Sequence, residues 1–102
     1  MKIIQKMAEM IIDEAEGAEH YAKKAIMYKD ERPALGKMFF TLANEELGHV
    51  NALHGAVVDL INEYKQKNGD PPEGMMAVYN YLHDKQIKHV ADVNALLAEY
   101  RA

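Results

Sequence analysis

From Ile3 to Tyr100 the apolar residues of this chain recur every three or four positions, with no sustained alternation of period two. That spacing gathers side chains on one face of an α-helix, whereas a half-buried strand needs alternation. The pattern is broken at only two places. Lys29-Asp30-Glu31-Arg32-Pro33 reads as a tight turn, with Asp30 suited to an N-cap and Pro33 to the first turn of the next helix. Lys67-Asn68-Gly69-Asp70-Pro71-Pro72 reads as a stop and restart, with Gly69 ending one helix and Asp70 capping the next. The expected fold is all-α, with three long helices over roughly 2–29, 32–67 and 72–101. A helix of about 28 residues is about 40 Å long, which suits a bundle.

Composition narrows the function classes. A chain of 102 residues makes one domain, 1–102, with one core, and a chain this small gains from association with a second copy. The net charge is -4 with both signs interspersed, which argues against a nucleic-acid partner. The chain has no cysteine, so disulfides, thiolate metal sites and a cysteine nucleophile are excluded. Polar residues break up Met1-Lys2-Ile3-Ile4-Gln5-Lys6 too often for a signal peptide, and no apolar run approaches membrane-spanning length. The expected location is the cytoplasm, with no membrane partner.

The chemistry lies inside the apolar stripes. On the first helix Ile3, Met7, Met10, Ala18, Tyr21, Ala25 and Tyr28 share a stripe with Glu14 at its centre, while Glu9, Asp13, Glu16 and Glu19 fall to the side or opposite. On the second helix Leu35, Phe39, Leu42, Leu53, Val57, Leu60 and Tyr64 form a stripe centred on Glu46, with His49 one turn on and Glu45 at the edge. An isolated carboxylate in such a stripe pays a desolvation penalty or stays protonated; a cation removes the difficulty. Glu46-x-x-His49 presents an oxygen and a nitrogen ligand on one helical face. Carboxylates with one imidazole suit iron or manganese and tolerate zinc. The third helix carries Met75, Tyr79, Leu82, Val90, Val93, Leu97 and Tyr100, centred on Gln86, with His89 three residues later and His83 on the other shoulder. A neutral amide is a poor iron ligand, so Gln86 and His89 fit a hydrogen-bonded core or interface pair better than a full metal site.

Each of these features also has a plainer account. Glu14, Glu46 and His49 could form a structural polar network, but two centred glutamates on successive helices favour ligands. Tyr21 fits a core aromatic and the methionines fit core filling. His20, His54 and His83 show no partner pattern. Asp13, Glu16 and Glu45 fit a solvated face. Gly48 and Gly55, with Ala52, lie opposite Glu46. Close approach by another helix and a weak exposed face both account for them.

Asp13-Glu14-Ala15-Glu16-Gly17-Ala18-Glu19-His20-Tyr21, followed by Leu42-Ala43-Asn44-Glu45-Glu46-Leu47-Gly48-His49, resembles the ferritin-like superfamily, closest to rubrerythrins and encapsulated ferritins. The resemblance covers roughly residues 10–55. It implies Glu14, Glu46 and His49 as metal ligands, with Tyr21 beside them. The single-chain family pattern has a second Glu and a second Glu-x-x-His on helices three and four. Here there is no fourth helix, and the third offers only Gln86 and His89. No rubredoxin-like cysteine module is present. A two-fold dimer would supply Glu14, Glu46 and His49 twice, completing a four-helix bundle around two ions. Encapsulated ferritins are built in this manner. The C-terminal Ala98-Glu99-Tyr100-Arg101-Ala102 lacks a docking tail, so an encapsulating shell is not indicated.

The expectation is a homodimeric, dimetal carboxylate protein holding two iron ions, with manganese or zinc as substitutes. It would oxidise ferrous iron as a ferroxidase or peroxidase, with Glu14, Glu46 and His49 as the reactive centre. The other function class is a metal-free helical dimerisation module with a buried Glu/His network.

Overall fold

The computed structural model describes residues 2–102. Three helices account for nearly all of them: α1 over Lys2–Tyr28, α2 over Pro33–Asn68 and α3 over Glu73–Arg101. No strand and no fourth helix occur among the described residues. The breaks fall where proline and glycine punctuate the sequence. Pro33 opens α2 in its first turn, where the missing N–H costs nothing. Gly69 ends α2 at φ 79°, a left-handed conformation that glycine adopts without a Cβ penalty, and its N–H donates to the Lys65 carbonyl.

The caps differ from expectation. Arg32, not Asp30, is the N-cap of α2, and Pro72, not Asp70, is that of α3. Neither provides a side-chain cap. In both linkers a proline fixes the backbone entry angle, so the aspartate is left outside the helix.

The chain runs up, down and up, giving a rod of 56 × 19 × 18 Å. α1 lies along both other helices, whereas the α2 and α3 backbones scarcely approach each other. Alanine makes this possible. Ala8, Ala15, Ala18, Ala22 and Ala25 are buried on α1 and let two helices pack closely against one. Gly36 extends the same logic to the start of α2. A Cβ there would lie 3.1 Å from the Ala25 carbonyl oxygen and 3.1 Å from the Lys29 Cα. Between α2 and α3 the wider gap is filled by rings: Phe40 stacks on Tyr100 with centroids 4.6 Å apart, and His54 on His83 at 5.3 Å.

The apolar interior forms two clusters along the rod. One joins Ile4, Ile11, Ala15, Val50, Val57 and Ile61, and the other joins Ala18, Ala22, Ala43, Val93 and Leu97. This arrangement corrects the stripe expected for α1. Ile4, Ile11 and Ala15 face the core, while Ile3 and Met10 are each 50% exposed. The stripe through Ile3, Met10 and Glu14 is turned by roughly a quarter-turn from the buried centre, taking 100° per residue. It lines the outer groove between α1 and α2. With a partner on two sides, the core face of α1 is made by five alanines together with Ile4, Ile11 and Ile12, while Ile3 and Met10 lie at the rim.

Gly48 and Gly55 face open space: a Cβ at either position would meet nothing within 4 Å. The exposed-face account is the one the structure bears out.

Candidate metal centre

Glu14 sits halfway along α1, and Glu46 and His49 sit one turn apart on α2. The antiparallel packing of the two helices brings the three side chains together at one level of the outer groove. One donor atom from each lies within 4.8 Å of the others, and no other group of three His, Asp or Glu side chains meets that condition among the described residues. His49 Nδ1 is 3.3 Å from Glu14 Oε2 and 3.7 Å from Glu46 Oε1. The same ring nitrogen faces both carboxylates, so the donors converge on one region of space.

The groove is open. The side chains of Glu14, Glu46 and His49 are 31%, 23% and 58% exposed, and no charged or polar residue is buried among those described. The glutamates are therefore not isolated in a dry core, as the stripes had suggested, but stand at its edge. They still perturb each other. A hydrogen bond with Glu46 holds Glu14 below the usual glutamate range, assisted by His49 and opposed by desolvation. The same hydrogen bond raises Glu46, together with desolvation and the charge of Glu14. The two shifts run in opposite directions, as expected when like charges share a site: of the pair, Glu46 holds its proton to the higher pH.

A bound ion sets a geometric standard for the trio. Metal–oxygen and metal–nitrogen bonds near 2.1 Å put adjacent donors roughly 3 Å apart and opposite donors about 4.2 Å apart. The 3.3 and 3.7 Å separations lie within those limits. Three donors from one chain leave an ion of this class short of the four to six it ordinarily takes.

The third helix does not enter this centre. His89 packs on the other flank of α1, with Nδ1 3.3 Å from Glu19 Oε2 and Nε2 4.0 Å from Glu16 Oε1. Its two nitrogens face two different carboxylates, so it bridges them rather than converging with them. Glu19 is further engaged by Lys23 at 3.4 Å. This is a clasp between α1 and α3 centred on Glu19; Glu16, with its side chain 56% exposed, stands at its edge on the solvated face. Gln86 is half-buried nearby on the inner side of α3.

Tyr21 packs against the second core cluster and stacks on Phe39 at 6.0 Å, as expected of a core aromatic. Phe39 in turn stacks on Tyr28 at 6.0 Å. Sequence reasoning also missed the pairing of His54 with His83, which continues to Tyr79 at 5.6 Å. These contacts depend on the register between α2 and α3, which no local pattern encodes. None of the described helices is long and apolar enough to cross a membrane.

Comparison of the chain with protein-family profiles, characterised proteins and solved structures returned no match in any of the three.

Proposed function

We propose that the protein is a dimetal carboxylate protein in which Glu14, Glu46 and His49 bind iron, with manganese or zinc as substitutes. The observation that carries this reading is the convergence of three donors from two helices within 4.8 Å. Two oxygens and an imidazole nitrogen form a donor set suited to divalent first-row ions.

The site needs a second copy of the chain. Ile3 and Met10 are each 50% exposed and Met38 is 46% exposed. At 100° per residue, the first two share the face of Glu14, and Met38 shares that of His49. An apolar strip therefore runs on either side of the ligands. Exposed apolar surface of this kind is what a two-fold interface would cover. Pairing α1 and α2 with their symmetry mates makes a four-helix bundle and doubles the donors to four carboxylates and two imidazoles, enough for two ions. The sequence motifs resemble those of rubrerythrins and encapsulated ferritins, and this arrangement accords with that resemblance. When bound, such ions supply one-electron chemistry, with ferrous iron oxidised by dioxygen or peroxide. Glu14, Glu46 and His49 would hold the ions, the two carboxylates supplying oxygen ligands and the imidazole a nitrogen ligand.

Anaerobic calorimetric titration with ferrous iron tests the assignment. Glu46→Ala should abolish most binding, because it removes a ligand without leaving a buried charge unpaired. Glu16→Ala alters the clasp on the other flank and should leave affinity nearly unchanged. Equal losses would put the ions on the wrong face of α1. Unchanged binding in Glu46→Ala would eliminate the site, and a wild type that binds no iron would leave the metal-free dimerisation module as the better reading of the apolar strip.

A further inference from the structure

Gly17 stands in the interior of α1, where glycine costs about 1 kcal/mol relative to alanine. It does not end the helix, and its φ is not positive. The buried positions closest to it along α1, Ala15 and Ala18, are alanine, as are Ala22 and Ala25 further on. Methyl groups are accommodated on the neighbouring core face of the same helix, and the missing Cβ calls for a local reason. The structure supplies one. A Cβ at residue 17 would lie 3.3 Å from Glu46 Oε2 and 3.9 Å from Glu46 Cδ, with no other neighbour that close.

We infer that Gly17 is a positioning residue for Glu46, its bare Cα providing the seat on which that carboxylate rests. This inference builds on the metal-binding reading of the same site. The two oxygens of Glu46 have separate surroundings. Oε2 lies over Gly17, and Oε1 points toward His49 Nδ1 at 3.7 Å. Seating one oxygen against α1 sets the rotation of the carboxylate and hence the direction of the other. A methyl at residue 17 forces Oε2 outward by a few tenths of an ångström. The helix backbone gains from the same change, so fold stability and site geometry move in opposite directions. That opposition separates a positioning role from a structural one.

The experiment compares wild type, Gly17→Ala, Glu46→Asp and the double variant. Manganese(II) affinity is measured by calorimetry, and thermal unfolding is followed after treatment with a chelator. Gly17→Ala should weaken manganese binding by about ten-fold, the lower end of what outer-shell changes cost, while raising the unfolding temperature. In the Glu46→Asp background the shorter side chain no longer reaches the seat, and the added methyl should change affinity by less than about two-fold. A second readout needs no metal. In 13C-resolved spectra of the chelated protein, Gly17→Ala should shift the Glu46 carboxylate and His49 ring signals and leave those of His89 in place. Unchanged affinity in Gly17→Ala, or the same loss with Asp at position 46, overturns the inference. If wild type binds no manganese or iron, the metal-binding reading fails, and the spectra still decide whether Gly17 seats Glu46.

Discussion

Replacing glycine by alanine at three positions of α2 should give opposite signs in one helix. Each change gains helix propensity of about 1 kcal/mol. At Gly48 and Gly55 the new methyl meets nothing within 4 Å, so that gain should appear as increased stability. At Gly36 the methyl would lie 3.1 Å from the Ala25 carbonyl oxygen, 3.1 Å from the Lys29 Cα and 3.2 Å from the Lys29 nitrogen. These are backbone atoms on the last turn of α1 and the turn that follows, and they cannot swing away as a side chain can. Parting the helices there should cost about 2 kcal/mol, within the range for overpacking. Gly36→Ala should therefore lose about 1 kcal/mol net, about 2 kcal/mol below the other two variants. For a domain of this size that separates their midpoints by about 8 °C. The assay is thermal unfolding by far-ultraviolet circular dichroism, at one protein concentration and with a chelator present. A Gly36→Ala midpoint equal to or above that of Gly48→Ala would refute the close packing of α1 on the start of α2.

His89→Ala should destabilise the protein by about 1 kcal/mol, through loss of the clasp from α3 to Glu19 and Glu16, and leave iron affinity unchanged; a parallel loss of affinity would mean that α3 contributes to the metal site. The metal-free protein should also show a pH signature. Because Glu46 is raised by its hydrogen bond to Glu14, its contribution to stability is full below the ordinary glutamate value and is lost as pH rises through the raised folded value. Glu14 is lowered, so its contribution is present above the ordinary value and is lost as pH falls through the lowered one. Glu46→Gln should remove the loss seen just above the ordinary range in chemical-denaturation profiles, and an unaltered profile would contradict the upward shift of Glu46 beside Glu14.

The helices and their breaks were legible because Pro33, Gly69, Pro71 and Pro72 act locally on the backbone. The helical faces were harder to read. A stripe weighted by bulk points to Ile3, Met7 and Met10 on α1, but a helix flanked on two sides buries whichever residues allow both neighbours in, and those were mostly alanines. The trio Glu14, Glu46 and His49 could be found because two residues are fixed by one helical turn and the third by a stripe on the adjoining helix. The clasp of His89 with Glu16 and Glu19 and the stack of His54 on His83 were not legible. Each depends on the axial register of α3, which Lys67–Pro72 leaves unspecified in sequence. Gly17 did carry a signal, a glycine amid alanines in the middle of a helix, but its meaning required the position of Glu46.

The most direct test of the central claim is the mass of the intact assembly under native conditions after anaerobic loading with ferrous iron and removal of excess metal. The account predicts a dimer carrying two iron ions, and a Glu46→Ala protein carrying none. A wild-type protein that retains no iron, or a monomer that binds it as tightly as any dimer, would contradict it.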